Sequence, residues 1–132
     1  MKILVVLTFL FGAMSSQYAP GAMRDPIYNR VNGLASPTIR RDHARFDGYA
    51  ASRSPDLINS VLFVCPTDRD LPCRRLLIVD CAGTDDGTLE WIDEGNIGIE
   101  VDYETAVAWD TVGYGIPVDV YLYNEGPAHK FE

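Results

Sequence analysis

Positive charge is what this chain has least of. Eleven Lys and Arg stand against nineteen Asp and Glu in 132 residues, a formal charge of −8. That excludes nucleic acid as a partner, because binding phosphates calls for a basic surface, and it disfavours an anionic membrane surface for the same reason. Cysteine is scarce too. Three residues are too few for a mini-protein built on disulfides, and they lack the repeated close spacing of a zinc site. The only histidines are His43 and His129, and no G-x-S-x-G elbow is present, so Ser-His-Asp chemistry has no support. There is no Walker motif, no H-E-x-x-H and no glycine-rich loop leading into a helix, which removes nucleotide and metalloprotease chemistry. No cofactor and no metal follow from the sequence. What is present suits one globular domain, with 47% hydrophobic and 23% charged residues.

The acidity is lopsided. Residues 17–66 hold six Arg and four Asp, whereas residues 67–132 hold four basic and fifteen acidic side chains, a local charge of −11. The start of the chain has the layout of a secretory signal. Met1-Lys2 precedes an apolar run from Ile3 to Gly12, and Ala13-Met14-Ser15 puts small residues before a cleavage point. The run is well short of the roughly 20 residues that span a bilayer. The expectation is a signal over residues 1–16 and a mature chain that begins near Ser16 or Gln17. Its location is then secreted or in the cell envelope, without membrane attachment after cleavage, where disulfides are permitted.

The rest of the chain reads as one mainly β domain. Residues 17–42 are rich in Pro, Gly and Arg without a sustained period and read as an N-terminal arm. The domain proper is expected over 43–124, followed by a polar tail at 125–132. Phe46 to Ala51 suits a short strand. Ser60 to Val64 and Arg75 to Val79 are β-rich runs joined by a connector of turn chemistry, which predicts a hairpin. Thr88 to Glu94 suits a helical turn stopped by Gly95-Asn96. Tyr103 to Trp109 suits a helix capped by Asp102, with Tyr103, Ala106 and Val107 on one face. Pro117 to Tyr123 alternates as a half-buried strand, with Tyr121 and Tyr123 on the outer side.

Acids are the chemistry on offer. Asp80 ends an apolar strand and is followed by small residues, where a cleft can reach it, and Asp102 opens the helix. Two carboxylates beside one sugar bond can serve as acid and base, or as acid and stabiliser. Each also has a plain structural use, in a turn or as a helix cap. Asp85, Asp86, Glu90, Asp93 and Glu94 carry oxygen atoms that calcium could use, but their spacing does not reproduce a calcium loop and reads better as a solvated face. Trp91, Trp109, Tyr103, Tyr114, Tyr121 and Tyr123 all lie in the acidic half. Of these, Trp91, Trp109, Tyr114, Tyr121 and Tyr123 are the candidates for stacking on sugar rings. In the proposed hairpin, pairing 65 opposite 73 sets 61 opposite 77 and 63 opposite 75. A disulfide between Cys65 and Cys73 is then feasible, although a bond from either one to Cys81 stays open. The basic run Arg40 to Arg45 is the complement of the acidic half and is expected to pack near Asp85-Asp86.

Leu76-Leu77-Ile78-Val79-Asp80-Cys81-Ala82-Gly83 resembles the strand-then-VD-C-x-G signature of the double-psi β-barrel superfamily, which includes rare lipoprotein A-like, barwin-like and expansin-like domains. Glu100 to Trp109 is similar to its (I/F)-D-L-S-x-x-A-F helix start, and Gly113 to Tyr121 to its closing G-x-G-x-V-x-V-x-(W/Y) strand. Gly33-Leu34-Ala35-Ser36 and Ala50-Ala51 are similar to its opening strand and its T-A-A-H segment. The resemblance spans about residues 33–123 and implies a small six-stranded double-psi β-barrel with one or two short helices. It places Asp80 on the acidic position that the lytic transglycosylases use, and Asp102 on the Asp that lines the groove of expansin-like members. Where the transglycosylases have His, this chain has Ser52 followed by Arg53. The implied function is therefore binding of a cell-wall polysaccharide or peptidoglycan through an acidic, aromatic-lined groove without the full catalytic set. The alternatives are a lytic glycosidase or transglycosylase acting through Asp80, or a secreted structural module whose acidic face meets a protein partner.

Overall fold

A computed structural model describes residues 2–22, 46–53, 55–81 and 95–128. The expected arm beyond residue 22, with Gly33-Leu34-Ala35-Ser36 and the basic run Arg40 to Arg45, lies outside the described residues. So do Trp91, the Thr88 to Glu94 turn, the acids from Asp85 to Glu94, and the end of the tail.

Among the described residues six strands form one closed barrel. In chain order they are β1 (Ile3–Gln17), β2 (Gly48–Ser52), β3 (Val61–Pro66), β4 (Arg74–Cys81), β5 (Ile97–Val101) and β6 (Pro117–Pro127). One α-helix, α1 (Tyr103–Ala108), and one 3-10 turn (Pro55–Leu57) interrupt them. Around the barrel the order is β1-β5-β2-β4-β3-β6. The pairs β1/β5 and β2/β4 are parallel, and the other neighbours are antiparallel. The mainly β, six-stranded expectation holds, with one α-helix among the described residues.

The hairpin forms as the sequence predicts: Val61 faces Leu77 and Phe63 faces Arg75. Just past the ladder, Cys65 and Cys73 are joined in a disulfide, with their Cα atoms 4.2 Å apart. Cys81 is buried and lies outside this disulfide. Asp47 ties the neighbouring strand ends together, accepting from the Arg75 backbone N–H at 2.8 Å and from Arg75 Nη2 at 2.8 Å.

Alternation divides the side chains into two sets. Inside lie Leu62, Val64, Leu76, Ile78, Ile99, Val101, Val118 and Val120, closed at one end by Ala106, Trp109 and Ile116. Outside, Val61, Leu77 and Val79 form a second cluster, covered by Tyr18, Phe46, Tyr49 and Tyr123. The helix differs from its expected face. Thr105, Ala106 and Trp109 are buried and Val107 is 54% exposed, because the stripe that faces the core starts at the buried cap Asp102 and runs through 105, 106 and 109, an i, i+3, i+4, i+7 spacing.

Segments from within the first seventeen residues and from near the end of the chain both take part in the barrel. Residues 3–17 are a strand of this barrel, paired with β6 from Ile3↔Pro127 to Met14↔Pro117 and with β5 from Met14↔Ile97 to Gln17↔Val101. The barrel thus reaches beyond 43–124 at both ends, and β6 runs into the segment read as a polar tail. Apolar and β-branched residues satisfy a strand as well as they satisfy a signal's apolar run. That composition alone does not separate the two uses.

Breaking the disulfide tests how much the hairpin relies on it. Loop-closure entropy for so short a loop is worth about 2.5 kcal/mol. The Cys65→Ser, Cys73→Ser double variant should keep its far-UV spectrum and lose about that much stability in urea titration. An unchanged midpoint would mean that the β3–β4–β6 ladder holds the hairpin alone.

Candidate functional site

Asp80 owes its position to an irregularity in β4. Simple alternation would aim it inward with Leu76 and Ile78. The pairing of β2 with β4 instead slips by one residue, from Ala50↔Ile78 to Ala51↔Asp80. Such a bulge turns the following side chain to the other face, so Asp80 joins the outer set. Ala51 also pairs with Glu100 of β5, and Glu100 pairs with Ser16 of β1. Asp80, Ala51, Glu100 and Ser16 therefore form one row across four adjacent strands. The two carboxyls flank the small Ala51, two strand spacings or about 9.6 Å of backbone apart.

The row is closely held. Tyr18, just past β1, donates its hydroxyl to Asp80 Oδ2 at 2.9 Å, and its N–H donates to the Val101 carbonyl at 2.9 Å. Asp80 Oδ1 accepts from the Cys81 N–H at 2.9 Å. Asp80 is only 7% exposed, and the Ser16 hydroxyl oxygen is buried without a hydrogen-bond partner. Burial, together with repulsion from the Asp80 carboxylate, pushes Glu100 up to about 7. Burial and the same acids drive the Tyr18 phenol far above its ordinary range, so it stays a donor. The Cys81 thiol is also raised, by burial and then by Asp80. The row thus offers a carboxyl that keeps its proton to near neutrality, a neighbouring carboxylate and two hydroxyls.

Asp102 is placed differently. Its Oδ1 accepts from the Thr105 N–H at 3.2 Å as the helix N-cap, and its Oδ2 accepts from the Tyr49 N–H at 3.0 Å. The side chain is 4% exposed, and Gly48 lies so close that a Cβ there would sit 2.6 Å from Oδ2. Both oxygens therefore join α1 to β2. The carboxyl that shares the surroundings of Asp80 is Glu100. Sequence reading passed over Glu100 because it lies between the apolar Ile99 and Val101, and only the cross-strand register brings it to Asp80.

The aromatic candidates divide. Trp109 is fully buried in the core, and its Nε1 donates to the Pro72 carbonyl at 2.9 Å. It has no face for a sugar, which corrects the expectation made of it. Tyr114 is 52% exposed and lies under the Arg69 guanidinium at 5.7 Å from the ring centroid. Tyr121 packs edge-on against Phe9, and Tyr123 stacks on Phe63, so both are half-buried. The aromatics packed on the outer cluster are Tyr18, Phe46, Tyr49 and Tyr123, and of these Tyr18 is the one that bonds to Asp80. Among the described residues no three His, Cys, Asp or Glu come together to hold a metal ion.

Compared with protein-family models, with curated proteins and with solved structures, the chain matches none.

Glu100 sets a pH dependence whose sign is fixed. A carboxyl whose folded-state pKa is raised favours the fold while it is protonated. Its contribution is complete below about 4.5 and is lost as pH climbs through about 7. Glu100→Gln keeps the neutral form, so its stability advantage over wild type should grow across that window to about 3 kcal/mol. Urea titrations at a series of pH values would read this, and parallel curves would remove Glu100 from the buried row. Asp102→Ala should cost about 2–3 kcal/mol, since it orphans two N–H groups, and thermal melts would register the loss.

Proposed function

We propose that this chain is an exported double-psi barrel module that binds a cell-wall polysaccharide or peptidoglycan along the acidic row of Asp80 and Glu100. The observation that carries the reading is the bulge in β4, which turns Asp80 out of the core into one row with Glu100. A carboxyl that donates, a carboxylate that accepts and the Tyr18 hydroxyl match the alternating donors and acceptors of sugar hydroxyls. Tyr18, bonded to Asp80, supplies an apolar ring face for the C–H side of a sugar. The closed six-stranded barrel with two parallel pairs agrees with what the resemblance implies, and so does Asp80 at the end of β4. Ser52 in place of His argues for binding rather than cleavage.

One observation favours the lytic alternative. A carboxyl that holds its proton to about 7 beside a second carboxylate is the pattern of an acid paired with a base or stabiliser. In that reading Glu100 protonates the leaving oxygen and Asp80 stabilises the developing positive charge or directs water.

The experiment is incubation of the protein with purified peptidoglycan and with cellulose, scoring both retention and released fragments. Retention without fragments is expected, falling about tenfold or more in Asp80→Asn and in Glu100→Gln and unchanged in Asp110→Asn on the exposed turn after α1. Fragments that disappear in both site variants would establish the lytic alternative. Neither retention nor fragments would sink the glycan reading and leave the acidic face to a protein partner.

A further inference from the structure

The barrel closes through the segment that the sequence marks for removal. Among the described residues β5 and β6 do not pair with each other, and β1 is the stave between them. The seam is tight where the chain would be cut. Met14 N–H donates to the Asn96 carbonyl at 3.0 Å, and Ser15 N–H donates to the Ile116 carbonyl at 2.8 Å. In return the Ile116 N–H donates to Ser15 Oγ at 3.1 Å. Ser15 is 5% exposed, and Gly115 lies so close to its carbonyl that any side chain there would collide with it. On the next residues, Ser16 and Gln17 are in register with Glu100 and Val101. The Gln17 amide, oriented to suit its neighbours, donates to the Thr111 carbonyl at 3.0 Å and accepts from the Gly113 N–H at 2.8 Å. A peptidase needs several residues in an extended, unpaired form, and here the backbone from Met14 to Gln17 is already paired.

The other half of β1 has the opposite character. Ile3, Val5, Leu7 and Phe9 are 43–57% exposed, and Ile3 to Ala13 pair with β6 alone. This half is apolar surface displayed to water, as a membrane-targeting run would be before it is engaged.

We propose that residues 3–17 have two mutually exclusive uses: export signal in the unfolded chain, and closing stave in the folded one. Folding of the full chain shields the bond between Ser15 and Ser16. Hydrolysis of that bond adds one water, leaving a carboxylate on Ser15 and a new amine on Ser16. It therefore belongs before folding, and it removes every residue that pairs with β6 on this side. Ser16, Gln17 and Tyr18 stay with β5, so the acidic row survives processing while the β6 edge is opened from Pro117 to Pro127. This inference rests on the export part of the proposed function and not on the glycan part.

The test compares timing. The full chain is synthesised in vitro with signal-peptidase-bearing membranes present from the start, and in parallel the purified, folded full chain is given the same peptidase in detergent. Cleavage after Ser15 during synthesis, with at least a tenfold slower rate on the folded chain, is the expected result. Equal rates would overturn the shielding, and no cleavage in either arm would overturn the export use. Hydrogen exchange on the full chain gives a reading independent of the enzyme. The Ser15 and Ile116 amides should be among the slowest to exchange, and rapid exchange at both would overturn the stave. Neither measurement involves glycan, so a failure here is separable from a failure of the binding experiment.

Discussion

Closure of the hydrogen-bond ladder is the constraint on which the rest of this protein depends. A six-stranded sheet has little core to spare, and an open edge would expose backbone donors and acceptors that only another strand can satisfy. β1 supplies that strand, bridging a parallel partner and an antiparallel one. The interior then seals around Leu76, Ile78, Ile99 and Val120, with Trp109 and Ile116 at one mouth. The acidic row draws on the end of the same strand, where Ser16 pairs with Glu100 and Tyr18 donates to Asp80.

Elements set by local chemistry were legible in the sequence. The β3–β4 register could be read from two cysteines flanking a turn, and the helix from Asp102 followed by a short run of helix formers. Elements set by long-range pairing were not. Asp80 was visible as a carboxylate at a strand end, but its direction depends on a bulge opposite β2, and nothing in Val79-Asp80-Cys81 announces a slipped register. Glu100 sits in an ordinary alternating strand, and its elevated proton affinity comes first from burial in the fold and then from Asp80, twenty residues away in sequence. Trp109 looked like a stacking platform because an aromatic in an acidic stretch carries no mark of burial. Its indole N–H had a carbonyl partner in the β3–β4 connector that only the fold could provide.

The concentration of negative charge in the second half takes on a definite shape in the barrel. Asp102 is absorbed into the joint between α1 and β2, where both oxygens accept from backbone N–H groups. Asp80 and Glu100 are held under aromatic and hydroxyl cover, while Asp110 and Glu104 face solvent. A uniform acidic face would only repel, whereas here two acids are desolvated and coupled to one another. Desolvation strengthens each hydrogen bond they can make to an incoming hydroxyl. It also makes the protonation of Glu100 respond to that ligand, because a donor that offsets the repulsion stabilises the charged form.

Gly48 and Asp102 illustrate a different kind of coupling. The carboxylate fills the space that any side chain at residue 48 would need, so the two positions share one volume. A lineage that acquires a larger residue at 48 must shorten or redirect residue 102, and with it give up the cap that starts α1. The glycine therefore acts as a record of the helix: wherever related chains keep the first, the second should be found, even if the intervening fifty residues have changed beyond alignment.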